Sequence, residues 1–302
     1  FLILLTASTS ASIKLSKDAT ISILTCSPGN ELYSLFGHTG IRVVDKANDM
    51  DIVFNYGTFD FATQGFYFKF ARGLLPYQLS CSEFRRFLSS YIYDERSVYS
   101  QTLNLDSIQK QYLMDLLFEN YQPANREYLY NFLYDNCSTR VRDIIEKSTN
   151  NQITWIAQPS TKSFWNLLDE YLSRFPWIQW GIHTILGSPA TSVATIREQM
   201  FLPDYLMYHL DSAAYNGVPL VQPIETVYEA PEQDLSTPWY FSPFFVFAIC
   251  TLALILLLQK AEHEKAHEIA TSINCNLYVH HMLFDETDIT SCLSYIERGP
   301  KL

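Results

Sequence analysis

From Trp239 to Leu258 the chain runs twenty residues without a charged side chain. A bilayer core of about 30 Å is crossed by a helix of about that length, which satisfies its own backbone hydrogen bonds. Trp239 and Tyr240 stand at one end, where interfacial aromatics gather. No Lys or Arg occurs between Arg197 and Lys260, whereas Lys260 and Lys265 follow the run. Positive-inside bias therefore predicts residues 12–238 outside the cytoplasm and the tail inside. The start of the chain agrees. Phe1–Leu5 is apolar and runs into small residues up to Ala11, which reads as the end of a secretory signal whose charged start precedes Phe1. A short buried strand is the alternative.

The rest of the chain has the composition of a packed domain, with 48% apolar and 15% aromatic residues. Its net charge of -11 and the lack of a basic stripe exclude nucleic acid as a partner. Of six cysteines, Cys250 falls in the apolar run and Cys275 and Cys292 in the tail. Cys26, Cys81 and Cys137 are left in the oxidising compartment, an odd number that predicts at least one free thiol. A Cys26–Cys81 bridge and two further free thiols both remain open. The tail histidines and cysteines match no compact ligand set, so no metal and no cofactor are expected.

Residues 19–105 alternate short apolar runs with turns and read mostly as strands. Ile21–Leu24 comes first, and Ile41–Val44 and Ile52–Tyr56 flank the polar turn 46–49 as an antiparallel hairpin. Phe66, Phe68 and Phe70 keep a two-residue period, and Ser97–Leu105 is a further strand. Phe84, Phe87, Leu88 and Tyr91 share a helical face. From Asp106 the period becomes helical, opened by a capping-box pair with Gln109. Another helix starts at Tyr134-Asp135-Asn136-Cys137, and more follow in residues 160–212. The expected divisions are a signal remnant (1–11), an α+β catalytic domain of antiparallel sheet and helices (12–158), and a helical extension with a proline-rich linker (159–238). The membrane helix (239–258) and a tail of uncertain origin (259–302) complete the chain.

Cysteine chemistry needs a thiolate, and position favours one at Cys137. Asp135 or Asn136 would cap the helix, so Cys137 would lie in its first turn, where free N–H groups and the helix dipole favour an anion. Those N–H groups would also suit an acyl oxyanion. A buried structural cysteine is the alternative. His38 is the best base, standing at a strand mouth between Gly37 and Gly40. A satisfied structural histidine is the competing reading. Asn55, near the end of the hairpin partner, could orient the imidazole or simply end its strand.

These motifs, His-x-x-Ile-x-Val and then Asn-Cys opening a helix, resemble the permuted papain-like enzymes, the lecithin:retinol acyltransferase and permuted NlpC-type groups. The chain is more closely similar to the Lnb N-terminal periplasmic domain family. The likeness runs through Leu24–Gly29, Glu31–Ser34, Phe36–Thr39, Asp51–Asp60, Tyr134–Cys137, Arg140–Asp143 and Phe201–Tyr205. It implies a permuted papain-like fold and a lipoprotein N-acyltransferase of the bacterial inner membrane. Such an enzyme moves a fatty acyl chain from a membrane phospholipid to the N-terminal amine of a lipoprotein. It further implies Cys137, His38 and Asn55 as catalytic residues, with Ser27, Glu31, Tyr33, Asn136 and Arg140 as lining candidates. A cell-wall peptidase or amidase, a phospholipase of the same fold, and a non-catalytic membrane scaffold are the other readings.

Overall fold

The computed structural model describes residues 13–59, 75–156, 160–231 and 238–283, with a few between 63 and 69; side chains are described as far as 274. The signal-like segment 1–11, the Phe66–Phe70 repeat and the chain beyond 283 lie outside these residues. Two compact units divide the chain, Phe1–Ser236 and Thr237–Leu302.

The first unit is built on an antiparallel sheet. Its strands are β1 (Thr20–Cys26), β2 (His38–Asp45), β3 (Met50–Thr58), β4 (Pro76–Glu83), β5 (Val98–Thr102), β6 (Glu127–Leu129) and, after three short strands of a separate sheet, β10 (Glu225–Tyr228). Their order across the sheet is β10-β5-β1-β2-β3-β4-β6. The β2–β3 hairpin turns where residues 46–49 predict it, and Asp49 adopts a left-handed conformation that an Asp tolerates at low cost. Buried Asp45 caps that turn, accepting from the Ala47 N–H and from Ser16.

Central strand β1 is buried on both faces. Ile21 and Ile23 join Ile41, Val43 and Phe54 under two helices, α2 (Ser107–Tyr121) and α3 (Cys137–Ser148). Leu24 and Cys26 point the other way, against Val53, Val98 and Phe87 of α1 (Phe84–Tyr93). A two-residue period on one strand thus feeds two hydrophobic layers. A third cluster gathers α4 (Phe164–Leu172) with Leu35, Leu133, Phe201 and Leu202.

One sequence expectation changes. Of the proline-rich stretch expected as a linker, residues 213–231 are folded into the first unit. Ala214–Tyr215 (β8) and Val218–Pro219 (β9) form a small sheet with Ile153–Thr154 (β7), and β10 then extends the large sheet beside β5. Leu220 and Val221 are buried in the main core. The prolines there interrupt pairing without preventing it, since an edge strand needs only one hydrogen-bonded side.

Among the described cysteines all are free, including Cys26 and Cys81. β2 and β3 stand between their strands, a gap of roughly 14 Å at the usual strand spacing. That is far beyond disulfide reach.

In the second unit a helical turn at Trp239–Phe241 leads into one continuous helix, Pro243–Leu283. Residues 243–274 of it are long and apolar enough to cross a bilayer, and this stretch is exposed. The helix begins four residues later than the sequence suggests, leaving Trp239 and Tyr240 before it, and it continues past Lys260.

Candidate functional site

Asn136, rather than Asp135, caps α3, and Cys137 is its first residue. Asn136 Oδ1 accepts from the Ser138 and Thr139 N–H groups at 2.9 and 3.0 Å. Its Nδ2 donates to the carbonyls of Phe132 and Phe201, both at 2.8 Å. The amide is only 3% exposed and its hydrogen-bonding positions are filled by protein. Asn136 is therefore a cap whose side-chain amide ties the site to Phe132 and Phe201.

His38 opens β2. The preceding Gly37 has φ +80°, and a Cβ there would stand 2.7 Å from the Cys26 carbonyl oxygen. Only glycine lets the chain enter the strand so close to β1. Asn55, on adjacent β3, places Oδ1 3.1 Å from His38 Nε2. A carbonyl oxygen only accepts, so Nε2 carries the proton and Nδ1 keeps its lone pair. The neutral ring is thus held in the tautomer that a base on Nδ1 requires.

Gly57 joins the two halves. A methyl group there would lie 3.5 Å from Cys137 Cβ and 3.9 Å from His38 Cε1. The three residues, from three different elements, therefore face one small space that glycine leaves open. Gly57 has φ +93°, which also favours glycine.

The electrostatics differ from the expectation at the helix start. Burial pushes the Cys137 thiol above its ordinary value, against the N–H groups of Thr39, Ser138 and Cys137 and the charge of Arg96, which all favour thiolate. Desolvation wins over the helix N-terminus. Burial also lowers His38 to about 4, against the Asn55 hydrogen bond. At neutral pH the resting pair is thus thiol and neutral imidazole, suited to general-base activation rather than a standing ion pair. Cys26 lies beside His38 in the β1–β2 register, but it is fully buried and pushed up to about 12, which removes it as a rival nucleophile.

This gives a test. Between pH 6.5 and 4 the unfolded chain takes a proton at His38 that the native protein refuses. Native stability from this group is therefore present above 6.5 and falls as pH drops towards 4, by about 3 kcal/mol in all. The His38 Cε1–H resonance should titrate with a midpoint near 4. A midpoint at or above the ordinary histidine value would overturn this picture.

A cleft of about 340 Å³ opens beside the imidazole, lined by His38, Asn55, Gly57, Tyr33, Phe59 and Arg96 among others. Of the lining candidates from sequence, Tyr33 alone borders it. Ser27 instead latches the loop, its Oγ accepting from the Ser97 N–H and its carbonyl from Arg96 Nε. Glu31 is exposed and its carbonyl accepts from Ser34. Arg140 is held in a bidentate pair with Asp135, 2.6 and 2.8 Å, with its guanidinium 3.6 Å from the Tyr128 ring centre. Tyr77 and Tyr130 stack at 4.2 Å and, with Tyr128, lie close enough to Cys137 that its thiolate would oppose their ionisation, so an aromatic wall stands near the thiol.

Sequence reasoning missed Gly57, Thr39, Arg96 and this tyrosine wall. Gly57 lies within a motif it singled out, but nothing there announced a positive φ. Arg96 follows Asp94 and Glu95 in what reads as a solvated turn.

Residues 8–170 match the Lnb N-terminal periplasmic domain. No curated protein and no solved structure matches the chain. With the exposed apolar helix at 243–274, the match describes a membrane-associated protein with a periplasmic domain. Since the match covers more than half of its length, the chain belongs to the Lnb N-terminal periplasmic domain family.

Proposed function

We propose that the protein is a cysteine-dependent acyltransferase of the bacterial inner membrane, with a permuted papain-like fold. It moves a fatty acyl chain from a phospholipid to the N-terminal amine of a lipoprotein. The observation that carries this reading is the convergence of Cys137 Cβ and His38 Cε1 on the space above Gly57, with Asn55 bound to the far ring nitrogen. The chain order, histidine before cysteine at a helix start, is the one the permuted papain-like enzymes use.

The steps follow from the resting protonation states. His38 Nδ1 takes the Cys137 proton as the sulfur attacks the ester carbonyl, and N–H groups near the sulfur, such as that of Thr39, receive the oxyanion. The carbon–oxygen ester bond breaks, and the lysophospholipid leaves with the proton from His38. The acyl group is now a thioester on Cys137. A lipoprotein amine attacks it, His38 accepts the amine proton, and the thiol re-forms by taking that proton back. A membrane tether suits two substrates that are both held in the bilayer.

The test is mass spectrometry of a lipoprotein N-terminus from cells making wild type, Cys137→Ala or His38→Ala. One extra acyl chain is expected with wild type, and a drop of at least about 10²-fold with either variant. Unmodified lipoprotein in all three, with the proteins folded and present, would sink the reading. Released fatty acid in place of acylated amine would identify a phospholipase.

A further inference from the structure

Arg96 sits in a position that a structural arginine seldom occupies. It is 6% exposed, and its Nε donates to the Ser27 carbonyl at 2.9 Å. Its Nη2 is buried with no hydrogen-bond partner. Among the described residues no carboxylate pairs with it. Its guanidinium lies 4.8 Å from the Tyr91 ring centre, a contact that accommodates a cation without neutralising it. A buried, uncompensated charge is expensive and calls for an anion.

The surroundings say where that anion would sit. Arg96 lines the same cleft as His38, Asn55 and Gly57. Exposed Arg86 borders it as well, and no carboxylate is among the lining residues. Tyr33, Phe59 and Phe87 supply apolar wall. The loop from Ser27 to Ser34 is shaped around the guanidinium stem: a Cβ on Gly29 would lie 3.0 Å from Arg96 Cδ. The cleft is thus positive at one side, with mixed polar and apolar wall elsewhere, and reaches Gly57, above which Cys137 and His38 converge.

We propose that Arg96 is the anion subsite of this cleft and takes the phosphodiester of a glycerophospholipid while the ester meets Cys137. This rests on the acyltransferase reading and adds the group that selects the donor. In a glycerophospholipid two glycerol carbons separate the phosphodiester oxygen from the nearer ester oxygen and three separate it from the other, so one cleft holds both. Guanidinium suits phosphate because it presents parallel N–H donors, and the unpaired Nη2 supplies one. Arg96 is a specificity residue here, and the proton transfers stay with His38.

The experiment uses the full chain in detergent. Acyl-thioester formation on Cys137 is followed by intact mass with two donors of identical chains, dioctanoyl phosphatidylglycerol and dioctanoylglycerol, in wild type, Arg96→Met and Arg96→Lys. Arg96→Met is expected to lose about 30-fold more with the phospholipid than with the neutral lipid, since the lost support of its charge for the Cys137 thiolate weighs on both donors alike. Arg96→Lys, which keeps the charge but not the fork, should fall between. Equal losses with both donors, or no loss, overturn the proposal.

A binding arm separates this from the parent reading. Cys137→Ala, with and without Arg96→Met, is titrated calorimetrically with each lipid and with inorganic phosphate. Arg96-dependent preference for the phospholipid upholds the subsite even if no thioester ever forms, in which case only the acyltransferase reading fails. Arg96-dependent binding of inorganic phosphate without a preference between the lipids overturns the lipid assignment. If Arg96→Met does not fold, the Arg96→Lys pair decides by the same ratios.

Discussion

Gly37→Ala is expected to lower the stability of the full chain by about 3–5 kcal/mol, a large share of the 5–15 kcal/mol typical of a folded domain. Two effects combine. Gly37 has φ +80°, where a side chain brings about 1–2 kcal/mol of strain. The added Cβ would also stand 2.7 Å from the Cys26 carbonyl oxygen, a backbone atom paired into the β1–β2 ladder that cannot swing aside. Pro203, whose Cγ would lie 3.5 Å off, closes the remaining direction. Gly217→Ala is the matched control. Gly217 has φ +79° with nothing within 4 Å, so it should show the strain alone. Thermal unfolding in detergent should place the Gly37 variant about 8–15 °C below wild type and the Gly217 variant about 3–6 °C below. Equal drops would mean that the contact with Cys26 is not the limiting one. Because His38 follows Gly37 directly, any surviving fold should also have a displaced imidazole.

The same segment shows how far the sequence could be read. The hairpin of β2 and β3, the strand before it and the helices after Asp106 follow from periods of two and 3.6, because one face of each is buried in a single core. β10 escaped that logic. All four of its residues keep some exposure, it opens on Glu225, and Glu229 and two prolines flank it, as expected of an edge strand with one wet face. Its pairing is visible only through Ser100, Tyr99 and Val98 on a strand more than a hundred residues earlier.

The site divides likewise. Cys137, His38 and Asn55 could be picked out because a helix cap, a glycine-flanked histidine and a hairpin partner are local patterns. What each polar group does was not local. Asn136 gives its amide to Phe132 and Phe201, so the Phe201–Tyr205 motif helps to close the cap. The expected acidification of Cys137 failed because helix-terminus effects can be read from sequence, whereas depth of burial cannot. Arg96 was hidden for the converse reason: a charge in a polar turn looks solvated until the loop from Ser27 is folded over it.

Asn55→Ala should reduce acylation of Cys137 by about 10²–10⁴-fold while leaving stability within about 1–2 kcal/mol of wild type. The readout is the burst of p-nitrophenol from p-nitrophenyl octanoate, which reports thioester formation whatever the natural donor is. Without the Oδ1 acceptor at 3.1 Å, Nε2 loses the partner that fixes its proton, and the tautomer with Nδ1 protonated becomes competitive. Asn55→Asp separates tautomer control from charge. A carboxylate still accepts from Nε2, so the tautomer is kept, but its charge favours imidazolium and raises His38 from about 4. The base is active only when neutral, so the acid limb of the burst rate should move up from near pH 4 to about pH 6 or above. Above that limb the Asp variant should recover much of the rate that the Ala variant does not. If Asn55→Ala keeps the wild-type burst, Asn55 merely ends a strand and His38 is oriented by something else. If the Asp variant leaves the acid limb where it was, the group titrating near pH 4 is not His38.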